Sequence, residues 1–294
     1  MTYSIVARDP ETGELGVGVQ THQPSVGAIV PWVKAGVGAV ATQSFANIAF
    51  GPQALSLLES GLPADRALAA ILAGDDAPAV RQVAVVDAAG RVAVHTGDAC
   101  IPHAGHRTGE GYSVQANMMA RDTVPDAMAE MFEATKGRLA VRIVAALEAA
   151  EVEGGDIRGR QSAALLVRAP GRDLDHRWDL RVDNDPEPLA KLRELMAIRL
   201  AGQALDLVTE GGAALSGDPA ERLQLARSAF RRATELAPSD EQTFWFAVRT
   251  LGQLDELDEA VAVLEPLFAR APNWKELLLR LPMPDVAPLQ ERFR

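Results

Sequence analysis

The chain has 294 residues, 48% apolar, 23% charged and 5% aromatic, with 29 basic against 40 acidic side chains and a net charge of −11. That composition fills one large core or two modest ones and excludes a disordered acidic tail, a collagen and, with Cys100 as the single cysteine, a disulfide scaffold. Binding to phosphate backbones is not expected without clustered Lys and Arg.

In chain order, residues 3–7 and 15–20 read as strands around the turn Pro10-Glu11-Thr12-Gly13, and 26–33 and 37–42 as a second pair around Lys34-Ala35-Gly36. Their short connections demand antiparallel pairing. Residues 50–59 and 64–73 carry apolar side chains at helical spacing, separated by Gly61-Leu62-Pro63. Strands return at 81–87 and 91–95, and a polar loop over 103–111 leads into a strand at 112–118. Helices are expected at 122–135 and 139–151, strands at 162–168 and 178–182, and a helix from Asp185-Pro186 to about residue 200. This order suits an α+β fold: a four-layer αββα sandwich over residues 1–200.

Residues 201–294 carry helix signals alone, at 221–236, 243–254 and 257–270. Ala237-Pro238 and Ala271-Pro272 recur at the 34-residue tetratricopeptide period, though only one or two units fit. A small all-α tetratricopeptide-like region is expected, packed on the first domain or on another chain. Trp245 and Phe246 should be at least half buried in it.

No apolar run approaches the roughly 18 residues of a membrane span. The opening Met1-Thr2-Tyr3-Ser4 has neither a basic nor an apolar leader region. A cytoplasmic protein is expected.

Thr2 is the first residue with chemical interest. Removal of Met1 would leave a threonine holding both a hydroxyl nucleophile and an α-amine of reference pKa about 8, able to act as its own base. Lys34, a lone charge closing an apolar strand, would tune that amine if it came within about 6 Å of the hydroxyl; otherwise it is a solvated hairpin lysine. Gln43, Ser44 and Asn47 sit at a strand-to-helix junction, where they furnish oxyanion donors or ordinary helix caps. Asn117 and Gln161 likewise abut apolar strands. Asp156 and Arg158 lie in a glycine-rich loop, and Arg158 either clamps a substrate carboxylate or staples the loop to Asp156. Cys100, His103 and His106 lack a fourth ligand, so no metal site is expected, and no cofactor.

Several segments together resemble domain-of-unknown-function family 1028: Thr2-Tyr3-Ser4-Ile5-Val6-Ala7-Arg8-Asp9, Val30-Pro31-Trp32, residues 35–43, Gly105-His106-Arg107 with Gln115-Ala116-Asn117-Met118, and residues 155–164. That family is similar to the N-terminal-nucleophile hydrolases, with the αββα fold of proteasome subunits. The resemblance implies Thr2 as nucleophile and Lys34 as the strand-end cation. Gln20, in Gln20-Thr21, stands where the proteasome pattern has an aspartate. The substrate-binding set is then Gln20, Gln43, Ser44, Asn47, His106, Asn117, Asp156, Arg158 and Gln161. The expected activity is an amidohydrolase cleaving a small amide or peptide-like bond. The alternative is a catalytically silent scaffold whose helical tail binds a protein partner or a second copy of the chain. No nucleic-acid or membrane partner is expected.

Overall fold

The structure is a computed structural model that describes residues 2–170, 178–209, 218–236, 238–252 and 256–294. Met1, Ala237 and the end of the helix expected over 243–254 lie outside the described residues. The chain divides into two compact units, Met1–Arg193 and Glu194–Arg294.

The first unit holds two antiparallel sheets. One has six strands in the order β10-β9-β2-β1-β8-β7, from Trp178–Val182, Ser162–Arg168, Leu15–Thr21, Thr2–Arg8, Tyr112–Asn117 and Gly105–Gly109. The other has four, β3-β4-β5-β6, from Pro31–Lys34, Gly38–Ser44, Arg81–Asp87 and Val92–Thr96. Sheets and helices together make the fold α+β.

Strand alternation sets what each face meets. On β4 and β5, Ala39, Ala41, Ala84 and Val86 join Val6, Val17, Val19 and Leu166 of the larger sheet in one buried cluster. Val40, Val83 and Val85 point the other way, into α1 (Phe50–Glu59) and α2 (Ala64–Ala73). In α2 the buried residues Ala64, Ala67, Leu68 and Ile71 follow the i, i+3, i+4, i+7 spacing of a single face. Helix α1 ends where Gly61 turns left-handed at φ 97° and the Leu62 N–H bonds back to the Leu57 carbonyl at 3.1 Å. The outer face of the larger sheet takes α3 (Val124–Ala134) and α4 (Leu139–Val152).

Gly18 of β2 makes room for α4. A Cβ there would lie 2.3 Å from Ile143 Cγ2 and 3.1 Å from Leu147 Cδ1. Gly18→Ala is expected to cost about 1–3 kcal/mol by overpacking, measured by urea unfolding. A loss below about 0.5 kcal/mol would mean that the helix yields freely.

Two elements differ from the sequence expectation. Residues 26–28 form a 3₁₀ turn, not the start of a strand, because Ser25 is left-handed (φ 58°) and the Val26 N–H donates to Ser162 Oγ at 3.2 Å. Val26 and Val30 are both buried, so their apolar run served a turn that packs inward. The polar segment 103–111 contains strand β7, whose His106, Arg107 and Thr108 are exposed at a sheet edge and show no hydrophobic alternation.

The second unit is helical among its described residues: the end of α5 (Pro188–Thr209), α6 (Pro219–Leu236), α7 (Asp240–Trp245), a π turn over Phe246–Leu251, α8 (Leu257–Arg270), α9 (Asn273–Arg280) and α10 (Ala287–Phe293). Phe244, Phe246, Leu264, Leu267 and Leu278 form its core, with Trp245 partly buried against it. Phe230 stacks on Phe246 with ring centroids 4.0 Å apart. No helix among the described residues is long and apolar enough to cross a membrane.

Candidate functional site

Thr2 opens β1 between two neighbours, with Thr21 of β2 opposite on one side and Asn117 of β8 on the other. Alternation turns Thr2, Ser4 and Val6 toward the smaller sheet and Tyr3 and Ile5 toward the helices. The inter-sheet interior is therefore apolar at the Val6 end and polar at the Thr2 end.

The polar end is a closed hydrogen-bond network. Gln82 Oε1 accepts from Gln43 Nε2 at 2.7 Å and Asn117 Nδ2 at 2.8 Å, while Gln82 Nε2 donates to the Ala116 carbonyl at 2.9 Å and to Thr96 Oγ1 at 2.9 Å. Ser4 Oγ donates to Gln43 Oε1 at 2.6 Å and accepts from Gln115 Nε2 at 2.5 Å. The Thr2 carbonyl accepts from Gln43 Nε2 at 3.2 Å and Asn117 Nδ2 at 3.4 Å. Thr2 Oγ1 donates to Thr21 Oγ1 at 3.1 Å. These amides thus fix the backbone of Thr2 from beneath.

Above the network lies a cleft of about 520 Å³ that Thr2, Thr21 and Gln43 floor and Arg81 and Arg158 flank. Val26, Ile29, Val30, Phe45 and Ile48 supply its apolar wall. Ser44 also lines it, in a left-handed backbone conformation (φ 67°) that disfavours a side chain. Its Oγ is buried and has no hydrogen-bond partner among the described residues. Strain and an orphaned hydroxyl at one residue mark a place where packing alone did not decide the geometry.

Asp156 stands end-on to β1. Its carboxylate accepts from the His22 N–H at 3.2 Å, one residue beyond Thr21, and its backbone bridges to Met119, two beyond Asn117. It therefore occupies the gap that β1 leaves between its neighbours past Thr2. Arg158 pairs with it through two N–H donors, Nε to Oδ1 at 3.0 Å and Nη2 to Oδ2 at 2.8 Å. Burial pushes the Asp156 carboxyl up, but the Arg158 side chain, the Arg158 N–H and the His22 N–H outweigh it and hold the group below the usual carboxylate range. On the opposite face of the sheet, the Tyr3 hydroxyl and Gln20 Nε2 both donate to Glu151 Oε2 at 2.8 Å. Burial first, and then the Glu151 charge, push the Tyr3 phenol well above its ordinary value.

The structure brings Thr2, Gln43, Ser44 and Arg158 to one cleft, and it separates the other candidates from it. Lys34 is corrected most firmly. It pairs with Gly38 at one end of β4, whereas Gln43 at the other end touches Thr2, about 17 Å along the strand at roughly 3.3 Å per residue. Lys34 Nζ instead meets Glu59 Oε1 at 2.5 Å on the exposed surface. Lys34→Ala is expected to change stability by no more than about 1 kcal/mol, the range of exposed ion pairs. Any activity of the Thr2 cleft should be unaffected, as steady-state rates would show.

Asn117 is fully buried in the network beneath Thr2 and does not line the cleft. Gln20 faces the helix side, turned there by strand alternation. Asn47 ties its loop to Asp75 at 3.1 Å, Gln161 bonds Asn184 Oδ1 at 2.9 Å, and exposed His106 bonds Thr96 Oγ1 at 2.9 Å. Asp156 is withdrawn behind Arg158. The sequence reading missed Arg81, Gln82 and the wall residues; Gln82 carried a signal, a polar residue in the inward register of an apolar strand. Among the described residues no group of three or more His, Cys, Asp or Glu is placed to hold a metal ion.

The fold and site define an α+β protein with a threonine heading a central strand beneath an apolar-walled cleft flanked by arginines. The chain belongs to the DUF1028 family, a family of unknown function whose model matches residues 2–192. The crystal structure of protein SPO2555 from Silicibacter pomeroyi, also matched to DUF1028, is similar at 33% identity and a TM-score of 0.62, over 66% of this chain and 84% of that one. Anbu (ancestral beta-subunit) from Yersinia bercovieri aligns at 12% identity and a TM-score of 0.33, over 74% of this chain and 99% of that one. No curated protein matches the chain.

Proposed function

We propose that the first unit is a four-layer αββα sandwich of the N-terminal-nucleophile hydrolase type and that it cleaves a small amide or peptide-like bond. The observation that carries this reading is the placement of Thr2, at the head of a central strand, on the floor of an apolar-walled cleft. Removal of Met1 frees the Thr2 α-amine. The amine takes the proton of the Thr2 hydroxyl as its oxygen bonds to the substrate carbonyl carbon. The C–N bond then breaks, the amine returns the proton to the leaving nitrogen, and water hydrolyses the Thr2 ester to release the carboxylic acid.

With Lys34 remote, the charged pair near the amine is Asp156–Arg158. Asp156, end-on to β1, orients the ammonium form, and Arg158 offsets its charge so that the amine can still shed its proton. The helical unit is read as tetratricopeptide-like, a platform for a protein partner or a second copy, on the 34-residue recurrence of its Ala-Pro pairs.

The test is mass spectrometry of the purified protein before and after exposure to a panel of small activated amides and esters. Loss of Met1 and an acyl adduct on the N-terminal peptide are expected. Turnover by protein that retains Met1 would overturn the mechanism, and absence of both adduct and turnover would favour the silent scaffold.

A further inference from the structure

We propose that the Thr2 cleft takes an amide that carries both an apolar group and a free carboxylate, such as an N-acylated amino acid or a short peptide ending in an apolar residue. This rests on the hydrolase reading above and names its substrate class.

The charge pattern carries the inference. The chain is net −11, yet among the described residues the charged ones lining this cleft are Arg81 and Arg158, with no Asp or Glu. Each arginine is paired with an aspartate withdrawn from solvent. The Asp156 side chain is 0% exposed against 31% for Arg158, and Asp75 is 4% exposed against 19% for Arg81. The buried partners fix both guanidinium planes and leave the arginine end of each pair facing the cleft. A guanidinium so oriented loses little side-chain freedom on meeting a second acceptor, and its positive charge favours an anionic one. Arg81 also donates from Nη1 to the Phe45 carbonyl at 2.5 Å, which ties the cationic side to the apolar wall.

The apolar side is open. Phe45 is 50% exposed and Ile48 48% exposed at the mouth, above the deeper Val26, Ile29 and Val30. Large apolar side chains left in water beside a concave surface mark a place where a ligand's apolar group is covered. Thr2 lines the same cleft, so a ligand that meets both groups lies against this residue.

The experiment separates binding from chemistry by using the full chain with Thr2→Ala, titrated calorimetrically with N-phenylacetylglycine and its neutral isostere N-phenylacetylglycinamide. The acid is expected to bind at least about tenfold more tightly, the scale of a charge-assisted contact. That preference should shrink with added salt. Arg158→Gln should abolish it, and the double variant Asp156→Asn with Arg158→Gln, which leaves no buried carboxylate unpaired, should do the same if the single variant fails to fold. Phe45→Ala should weaken both ligands alike. Equal binding of acid and amide, tighter binding of the amide, or no binding of either overturns the proposed class. An acid preference without any Thr2 adduct in the wild-type chain supports the cleft's ligand chemistry and overturns the hydrolase reading. An adduct with neutral amides and no acid preference does the reverse.

Discussion

Thr2→Ala is expected to abolish amide turnover, by at least about 10³-fold, because it removes the atom that forms the covalent bond. Thr2→Ser, which keeps a hydroxyl on an N-terminal residue, should retain a measurable fraction. The two variants should differ little in stability. Each leaves the Thr2 carbonyl held by Gln43 and Asn117, and alanine forfeits only the 3.1 Å bond to Thr21 Oγ1. That bond is worth about 1 kcal/mol, or a shift of a few degrees in Tm for a unit of this size. Activity and melting are therefore decoupled at this residue, and parallel rate and thermal-unfolding measurements check it. Turnover that survives Thr2→Ala refutes the mechanism whatever the fold.

The contrast between Thr2 and Lys34 shows which part of the site the sequence could convey. Thr2 is a local matter, the first residue of a strand whose apolar alternation is plain. Lys34 depended on which ends of two sheets meet. The strands 31–34 and 38–44 were legible, but nothing in their composition states that the Gln43 end of β4, rather than the Lys34 end, meets Thr2. The helices α1 and α2 were readable because one amphipathic face and a Gly61 stop define them. Strand β7 was not, since an exposed edge strand with Gly, His, Arg and Thr has no period to detect. The cleft's arginines were half visible. Arg158 stood out in a glycine-rich loop, while Arg81 looked like a strand's polar boundary and acquires its place only through Asp75 and the fold of the 45–48 loop. Ser44 was legible as a polar residue at a junction, but its left-handed backbone is a property of the folded chain.

The largest structural effect is expected at Gln82, whose amide the sequence presents as one polar residue in an apolar strand. Gln82 is 0% exposed and joins both sheets, accepting from Gln43 and Asn117 and donating to the Ala116 carbonyl and Thr96. Gln82→Leu keeps the volume roughly but removes every one of these bonds. Asn117 Nδ2 is then left with its 3.4 Å contact to the Thr2 carbonyl as the remaining bond described, and Gln43 Nε2 with contacts of 3.2 and 3.3 Å. Buried donors and acceptors that lose their best partners and keep only longer contacts cost up to about 1–3 kcal/mol each, so the weakened amides bring the expected loss to about 2–5 kcal/mol. Because Gln43 and Asn117 are also the groups that hold the Thr2 carbonyl, the same change should lower turnover, unlike any comparable loss in the α1–α2 core. Adding Gln43→Leu should cost less than its effect in the wild-type chain, since its main acceptor is already gone. Urea unfolding of the two single variants and the double variant measures this coupling; strict additivity, or a Gln82→Leu loss under about 1 kcal/mol, would mean that the inter-sheet amides are independently solvated and do not brace the Thr2 strand.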